Sequence, residues 1–188
     1  MKVVLLSGSN VGSKTRTAMN YLHKIMNDKH SDVEITLVDL AEFEMVFSDG
    51  RNYLEYEGDT KFVLETIMAA DAIIIGTPTF QASIPATLKN IFDLLPVNAF
   101  RDKVVSMLVT AGTAKHYLMV EQQLKPILAY MKAHIVPTYV FIEEKDFYRK
   151  EIVNDDVHFR MDRLAEDTVL LVNAYKSIQE MKDEEYGF

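Results

Sequence analysis

The sequence contains no cysteine and no tryptophan, and only seven glycines and five prolines in 188 residues. Without cysteine there is no disulfide, no thiolate metal centre and no thiol nucleophile, so any redox chemistry has to come from a bound cofactor; the same absence suits a reducing, cytoplasmic setting. Basic charge is in short supply as well. Twenty Lys and Arg against twenty-eight Asp and Glu leave a formal charge of −8, a balance that repels phosphate backbones and anionic lipid and argues against nucleic acid or membrane partners. Long hydrophobic runs are missing too: the start "MKVVLLSGS" carries an apolar run of four residues, too short for a signal sequence or a spanning helix, and no later run is longer by enough to matter. His23, His30, His134 and His158 form no i, i+4 pair and no H-E-x-x-H, and the acidic stretch "DVEITLVDLAEFE" lacks ligand spacing, so no metal site is expected. Ser7-Gly8-Ser9 is not the G-x-S-x-G of a hydrolase elbow.

What is present is 48% hydrophobic and 26% charged residues, enough to bury one sizeable core and too few residues for two, so a single domain over 1–188 is expected. Short β-branched or aromatic runs at 3–6, 34–40, 71–77, 103–110 and 134–142 predict five strands. Apolar residues recurring at three and four predict helices over 14–27, 59–70, 85–95, 115–132 and 157–181, with 152–156 an irregular approach to the last and "KDEEYGF" a frayed end. The strands near 3, 73 and 104 are continuously apolar, as strands covered on both faces must be. The pattern is therefore α/β, a doubly wound parallel sheet with helices on both sides.

Ligands of such sheets bind beyond the carboxyl ends of the strands, where the strand order reverses, so the loops after the strands hold the chemistry. In "LLSGSNVGSKTRT", Gly8 and Gly12 allow tight turns, Ser7, Ser9, Ser13 and Thr15 bring hydroxyls, and the following helix directs free N–H groups and its positive end into the same space, with Lys14 and Arg16 nearby. This is a cradle for a terminal phosphate. It lacks G-x-G-x-x-G, and it departs from G-x-x-x-x-G-K-[ST] because three residues, not four, separate the glycines and Ser13 stands between Gly12 and Lys14. An ordinary serine-rich βα loop is the alternative. After the third strand run, "GTPTFQASIPATLKNIFDLL" offers Pro78, the flat apolar Phe80, polar Gln81 and Ser83, and Pro85 at the first turn of the next helix; Phe80 as plain core filling is the other reading. "TAGTAKHY" after the fourth supplies backbone donors around Gly112 for ring carbonyls or developing negative charge.

Taken together, "LLSGSNVGSKTRT", "GTPTFQASIPATLKNIFDLLP" and "TAGTAKHYLMVEQQLKPIL" resemble the NADPH-dependent FMN reductase family, a flavodoxin-like group, over about residues 2–142. Within it the likeness is to the NAD(P)H:FMN reductases that supply two-component monooxygenases. The resemblance implies a five-stranded flavodoxin-like sheet of order 2-1-3-4-5, an FMN cofactor and NADPH or NADH as hydride donor. It also implies dimers or tetramers of the chain, with free flavin, a small acceptor or a partner monooxygenase taking the electrons. By position it implies that Ser9, Ser13 and Thr15, with Lys14 close by, contact the phosphate. Pro78, Thr79, Phe80, Gln81 and Ser83 would line the isoalloxazine and ribityl chain, and Thr110, Ala111, Gly112 and Thr113 would close the other edge of the ring. Many relatives carry arginine where this chain has Val11, and tyrosine where it has Phe80. No catalytic side chain is required for hydride transfer; His116 is the one candidate, against the reading of an ordinary helix-end histidine. An FMN-dependent quinone or azo reductase and a non-enzymatic FMN carrier share the same motifs and stay open at this point.

Overall fold

The structure, a computed structural model, describes residues 1–186. A parallel sheet forms from β1 (Lys2–Ser7), β2 (Glu34–Asp39), β3 (Ala72–Pro78), β4 (Val104–Ala111), β5 (His134–Ile135) and β6 (Val140–Glu143). Its order is β2-β1-β3-β4-β5, with β6 also paired to β4. This is the flavodoxin-like 2-1-3-4-5 order, its fifth strand delivered in two pieces. The interruption falls at Pro137, which cannot donate to a ladder: Val136 N–H still reaches the Val105 carbonyl at 2.9 Å, and the pairing resumes only at Val140, opposite Leu108.

Strand alternation explains the continuous apolar runs. Val4, Leu6, Ile73, Ile75, Val105 and Val109 face one core, packed by α2 (Gly58–Met68) and α3 (Ala86–Leu94). Val3, Leu5, Ala72, Ile74, Val104 and Leu108 face the other, packed by α1 (Lys14–Lys29) and α5 (Asp155–Tyr186). A side chain on either parity therefore meets a helix, so no polar position is tolerated in the centre of the sheet unless it is paired; the buried Ser106 does this through a 2.6 Å hydroxyl–hydroxyl bond to Thr168 of α5.

Four local expectations need correction. Pro85 is the residue before α3 rather than its first turn, with an extended ψ of 151°. The helix expected over 115–132 is broken into a 3-10 turn at Ala114–His116, a wide π turn at Val120–Leu124 and α4 (Lys125–Tyr130). The cause is Pro126: it has no N–H for the Gln122 carbonyl and its ring would strike that turn, so Lys125 N–H reaches back five residues to Val120 instead. The approach to the last helix is a hairpin of β7 (Phe147–Tyr148) and β8 (Glu151–Ile152), turned by Arg149 and Lys150 at φ of 45° and 69°. Asn154 Oδ1 then accepts the Asp156 N–H at 3.0 Å and starts α5 two residues earlier than the periodicity predicts. Finally, "KDEEYGF" continues that helix to Tyr186 instead of fraying, while Gly187 and Phe188 lie outside the described residues.

Candidate functional site

The strand registers bring three loops to one edge of the sheet: Ser7 stands beside Gly76, Pro78 beside Thr110, and Ala111 beside Glu143. Between β1 and β3 the order reverses, the position where ligands of such sheets bind. The first loop is held from three sides. Gly8 N–H donates to the Gly76 carbonyl at 2.7 Å, the Thr87 hydroxyl of α3 donates to the Gly8 carbonyl at 2.9 Å, and buried Ser9 closes a small turn by donating to the Val11 carbonyl at 2.8 Å. Gly12 turns the chain at φ +87° with nothing within 4 Å of where a Cβ would stand, so conformation and not space demands glycine there.

Helix α1 starts from this loop without a side chain of its own to close it. Ser13 precedes it but makes no capping bond, and no acidic residue occupies its first turn. Its first N–H groups have no intrahelical partner by construction, and its dipole leaves positive potential there. Thr15 is buried, its hydroxyl 2.7 Å from that of Thr110 at the end of β4. The two nearby cations have partners within the chain: Lys14 Nζ lies 2.5 Å from Glu144 Oε1, and Arg16 forms an ion pair with buried Asp39 at the end of β2.

In the second loop, Thr79 N–H donates to the Thr110 carbonyl at 2.9 Å, while Phe80 and Ser83 exchange two backbone bonds of 2.9 Å around a two-residue turn. Gln81 and Ala82 occupy the left-handed region at φ 48° and 59° without being glycine. That turn leaves Phe80 39% exposed. The Thr79 hydroxyl is buried and unpartnered. Ser83 Oγ reaches Gln123 of the π turn at 3.4 Å.

The third loop buries Thr110 and Ala111 and exposes Gly112 and Thr113. His116 ends the short turn that follows, half-buried. Beside it Tyr117 packs on Tyr139 with ring centres 5.3 Å apart and edge-on to Phe141 at 5.4 Å. The Tyr139 hydroxyl donates to the Tyr117 carbonyl at 3.0 Å; burial first, and then the neighbouring Tyr117 side chain, push the phenol well above its usual range.

The expected residues thus stand on or directly beside three adjoining loops: Lys14 and Thr15 open α1, Pro78 ends β3, Thr110 and Ala111 end β4, and the others lie in the loops themselves. The structure adds others: Asn10, Thr87 and Asn90 line a cleft of about 260 Å³ with Phe43, Met45 and Phe47 of the 41–58 loop. That loop is tied down by Ser48 N–H to Asn90 Oδ1 at 3.0 Å and Asn90 Nδ2 to the Val46 carbonyl at 2.9 Å. Glu144, 130 residues from Lys14 in sequence, carried no local signal. A larger cavity of about 510 Å³ between α3 and α4 shares no residue with the three loops. Among the described residues no group of three His, Asp or Glu could hold a metal ion, and no helix is long and apolar enough to cross a membrane.

The family model for NADPH-dependent FMN reductases matches residues 1–147, which include all three loops. The chain belongs to that family. Similar members include an NAD(P)H-dependent FAD/FMN reductase of Geobacillus thermodenitrificans, 38% identical over 94% of this chain and 96% of the relative. Another is an NADPH FMN reductase of Escherichia coli, 30% identical over 88% of this chain and 87% of its own. Among solved structures, an NADH:FMN oxidoreductase in its apo form superposes with a TM-score of 0.76 at 25% identity, covering 90% of this chain and 88% of that one. The family's FMN and reduced nicotinamide are the ligands against which the three loops have to be judged.

Proposed function

We propose that this chain is an NAD(P)H-dependent FMN reductase in which the phosphate of FMN closes the start of α1. One observation carries the assignment of the site: α1 opens at the topological switch point with neither a capping side chain nor an acidic residue in its first turn, beneath a glycine turn with open space above it. A phosphate supplies the acceptors that these N–H groups lack. The second loop fits the rest of the group, since Phe80 offers an exposed apolar surface and the unpartnered Thr79 hydroxyl a buried donor.

On this reading Ser9, Ser13, Lys14 and Thr15 surround the phosphate, although Ser9 acts by shaping the loop and Thr15 by fastening α1 to Thr110. Pro78, Thr79, Phe80, Gln81 and Ser83 line one side of the flavin, and Thr110, Ala111, Gly112 and Thr113 the other. These residues would hold FMN, which would supply a hydride acceptor for NADPH or NADH and a two-electron donor for the final acceptor. Backbone N–H groups of Gly112 and Thr113 would stabilise negative charge on the ring edge; a donor of this kind contributes about 2.7–4 kcal/mol. No proton-transfer residue is needed, so His116 has no assigned step. Free flavin, a small acceptor or a partner monooxygenase receives the electrons.

The cytoplasmic setting rests on the absence of cysteine. Homo-oligomerisation rests on the apolar groove between α3 and α4, where Val97 and Tyr130 are 55% and 66% exposed.

The test is stopped-flow absorbance of FMN-loaded protein mixed anaerobically with NADPH, with NADH, and then with excess free FMN. The expected result is rapid bleaching of bound flavin followed by repeated turnover of free FMN. Bleaching without turnover redirects the reading to quinone or azo acceptors, and no bleaching with either nicotinamide refutes the reductase.

A further inference from the structure

The cation nearest the phosphate cradle already has an anion. Lys14 Nζ stands 2.5 Å from Glu144 Oε1, and Oε2 of the same carboxylate lies 3.9 Å from where a Cβ on Gly112 would be. Glu144 therefore pairs with the first residue of α1 and stands beside the loop after β4, between two of the three loops of the candidate site.

Its placement is built into the fold. Glu144 follows β6 directly, at the first residue of a 3-10 turn organised by Asp146, which is only 5% exposed. Asp146 accepts the Glu143 N–H at 2.9 Å and the Asn154 side-chain amide at 2.8 Å, and its carbonyl accepts the Val153 N–H at 2.9 Å. The β4–β6 register then sets Glu143 opposite Ala111 and so carries Glu144 to the mouth of the site. The alternative cation, Arg16, is turned away to Asp39.

We infer that Glu144 sets how firmly this site retains a phosphate-bearing flavin, by competing for Lys14 and by facing the phosphate with like charge. The inference rests on the FMN reading above. Both effects act on the phosphate and not on the ring, so they distinguish FMN from riboflavin. Both weaken retention, which suits a reductase whose flavin has to be exchanged. With Glu144 65% and Lys14 39% exposed, solvent screens the interaction, and the effect belongs to the surface-pair range, about three- to fivefold in affinity.

The experiment is titration of FMN and of riboflavin by flavin fluorescence with the wild-type protein, Glu144→Gln, Glu144→Lys, Lys14→Ala and the Lys14→Ala/Glu144→Gln pair. The expected outcome is FMN binding about three- to fivefold tighter in Glu144→Gln and tighter still in Glu144→Lys, with riboflavin affinity unchanged. The gain should shrink in about 0.5 M salt and be smaller on the Lys14→Ala background. Unchanged or weaker FMN binding in Glu144→Gln overturns the inference, and so does an equal gain for riboflavin, which would make Glu144 a steric element. If the wild-type protein binds FMN and only the variants disagree, the inference alone fails; if the wild-type protein binds no FMN, the flavin reading fails and the inference with it.

Discussion

Gly76 is the point at which β3 lets α1 come close enough to carry the first loop. A Cβ built there would stand 2.3 Å from Met19 Sδ, 2.6 Å from Met19 Cγ and 3.3 Å from Thr15 Cγ2. Ordinary contact between such atoms is about 3.5–4.0 Å, so Gly76→Ala requires Met19 to retreat by more than about 1 Å. Met19 is fully buried between the sheet and α1, and the remaining way out is for the helix to lift. Overpacking of this kind costs about 1–3 kcal/mol, toward the lower end because Met19 is flexible. Lifting α1 also carries Thr15 away from Thr110 and disturbs the start of the helix, so FMN affinity should fall with stability. The decisive measurement is a double-mutant cycle in urea with Met19→Ala. Alone, Met19→Ala opens a cavity and costs about 2–5 kcal/mol; on the Gly76→Ala background the new methyl occupies part of that space, and the pair should cost at least about 1 kcal/mol less than the sum. Additivity within about 0.5 kcal/mol would refute the claim that close approach of β3 and α1 is what demands glycine.

Two further outcomes test other parts of the structure. Asp71 follows α2; burial raises its pKa, but the Lys2 backbone N–H at 2.6 Å and the Lys176 ammonium at 2.9 Å outweigh that and hold the carboxyl below its ordinary value of 3.8. A carboxyl whose pKa is depressed on folding stabilises above its unfolded pKa and loses that contribution as the pH falls through the folded one. The stability gap between wild type and Asp71→Asn should therefore be full near neutrality and shrink below about pH 4, and a gap independent of pH in urea melts at pH 7 and pH 3 would contradict the assignment. Gln81 and Ala82 hold left-handed backbone that Asn and Gly adopt more readily. Replacing both with Asn-Gly should stabilise by about 1 kcal/mol, a rise of about 2–4 °C in thermal midpoint, and an unchanged or lowered midpoint would show that the turn is not strained.

The α/β pattern, the parallel sheet and the three strand-end loops were legible in the sequence because they rest on local physics. Runs such as "VVLL" and "AIII" tolerate no solvent on either parity and so announce strands covered twice, and glycines between such a run and a helical pattern announce the turn that joins strand to helix. Elements that depend on one residue in competition with a pattern were harder to read. Pro126 and Pro137 lie within otherwise regular periodicity, yet one widens a helix and the other splits a strand, since a missing N–H matters only once its neighbours have chosen their partners.

The amino-acid sequence by itself determined that a glycine turn and the start of a helix would follow the first strand and that cysteine chemistry was closed to this chain. Only the tertiary structure decided which carboxylates the two cations beside that turn would pair with. Ion pairing is blind to sequence distance: β6 had to lie against β4 before Glu144 could reach Lys14 across 130 residues, and β2 against β1 before Asp39 could claim Arg16.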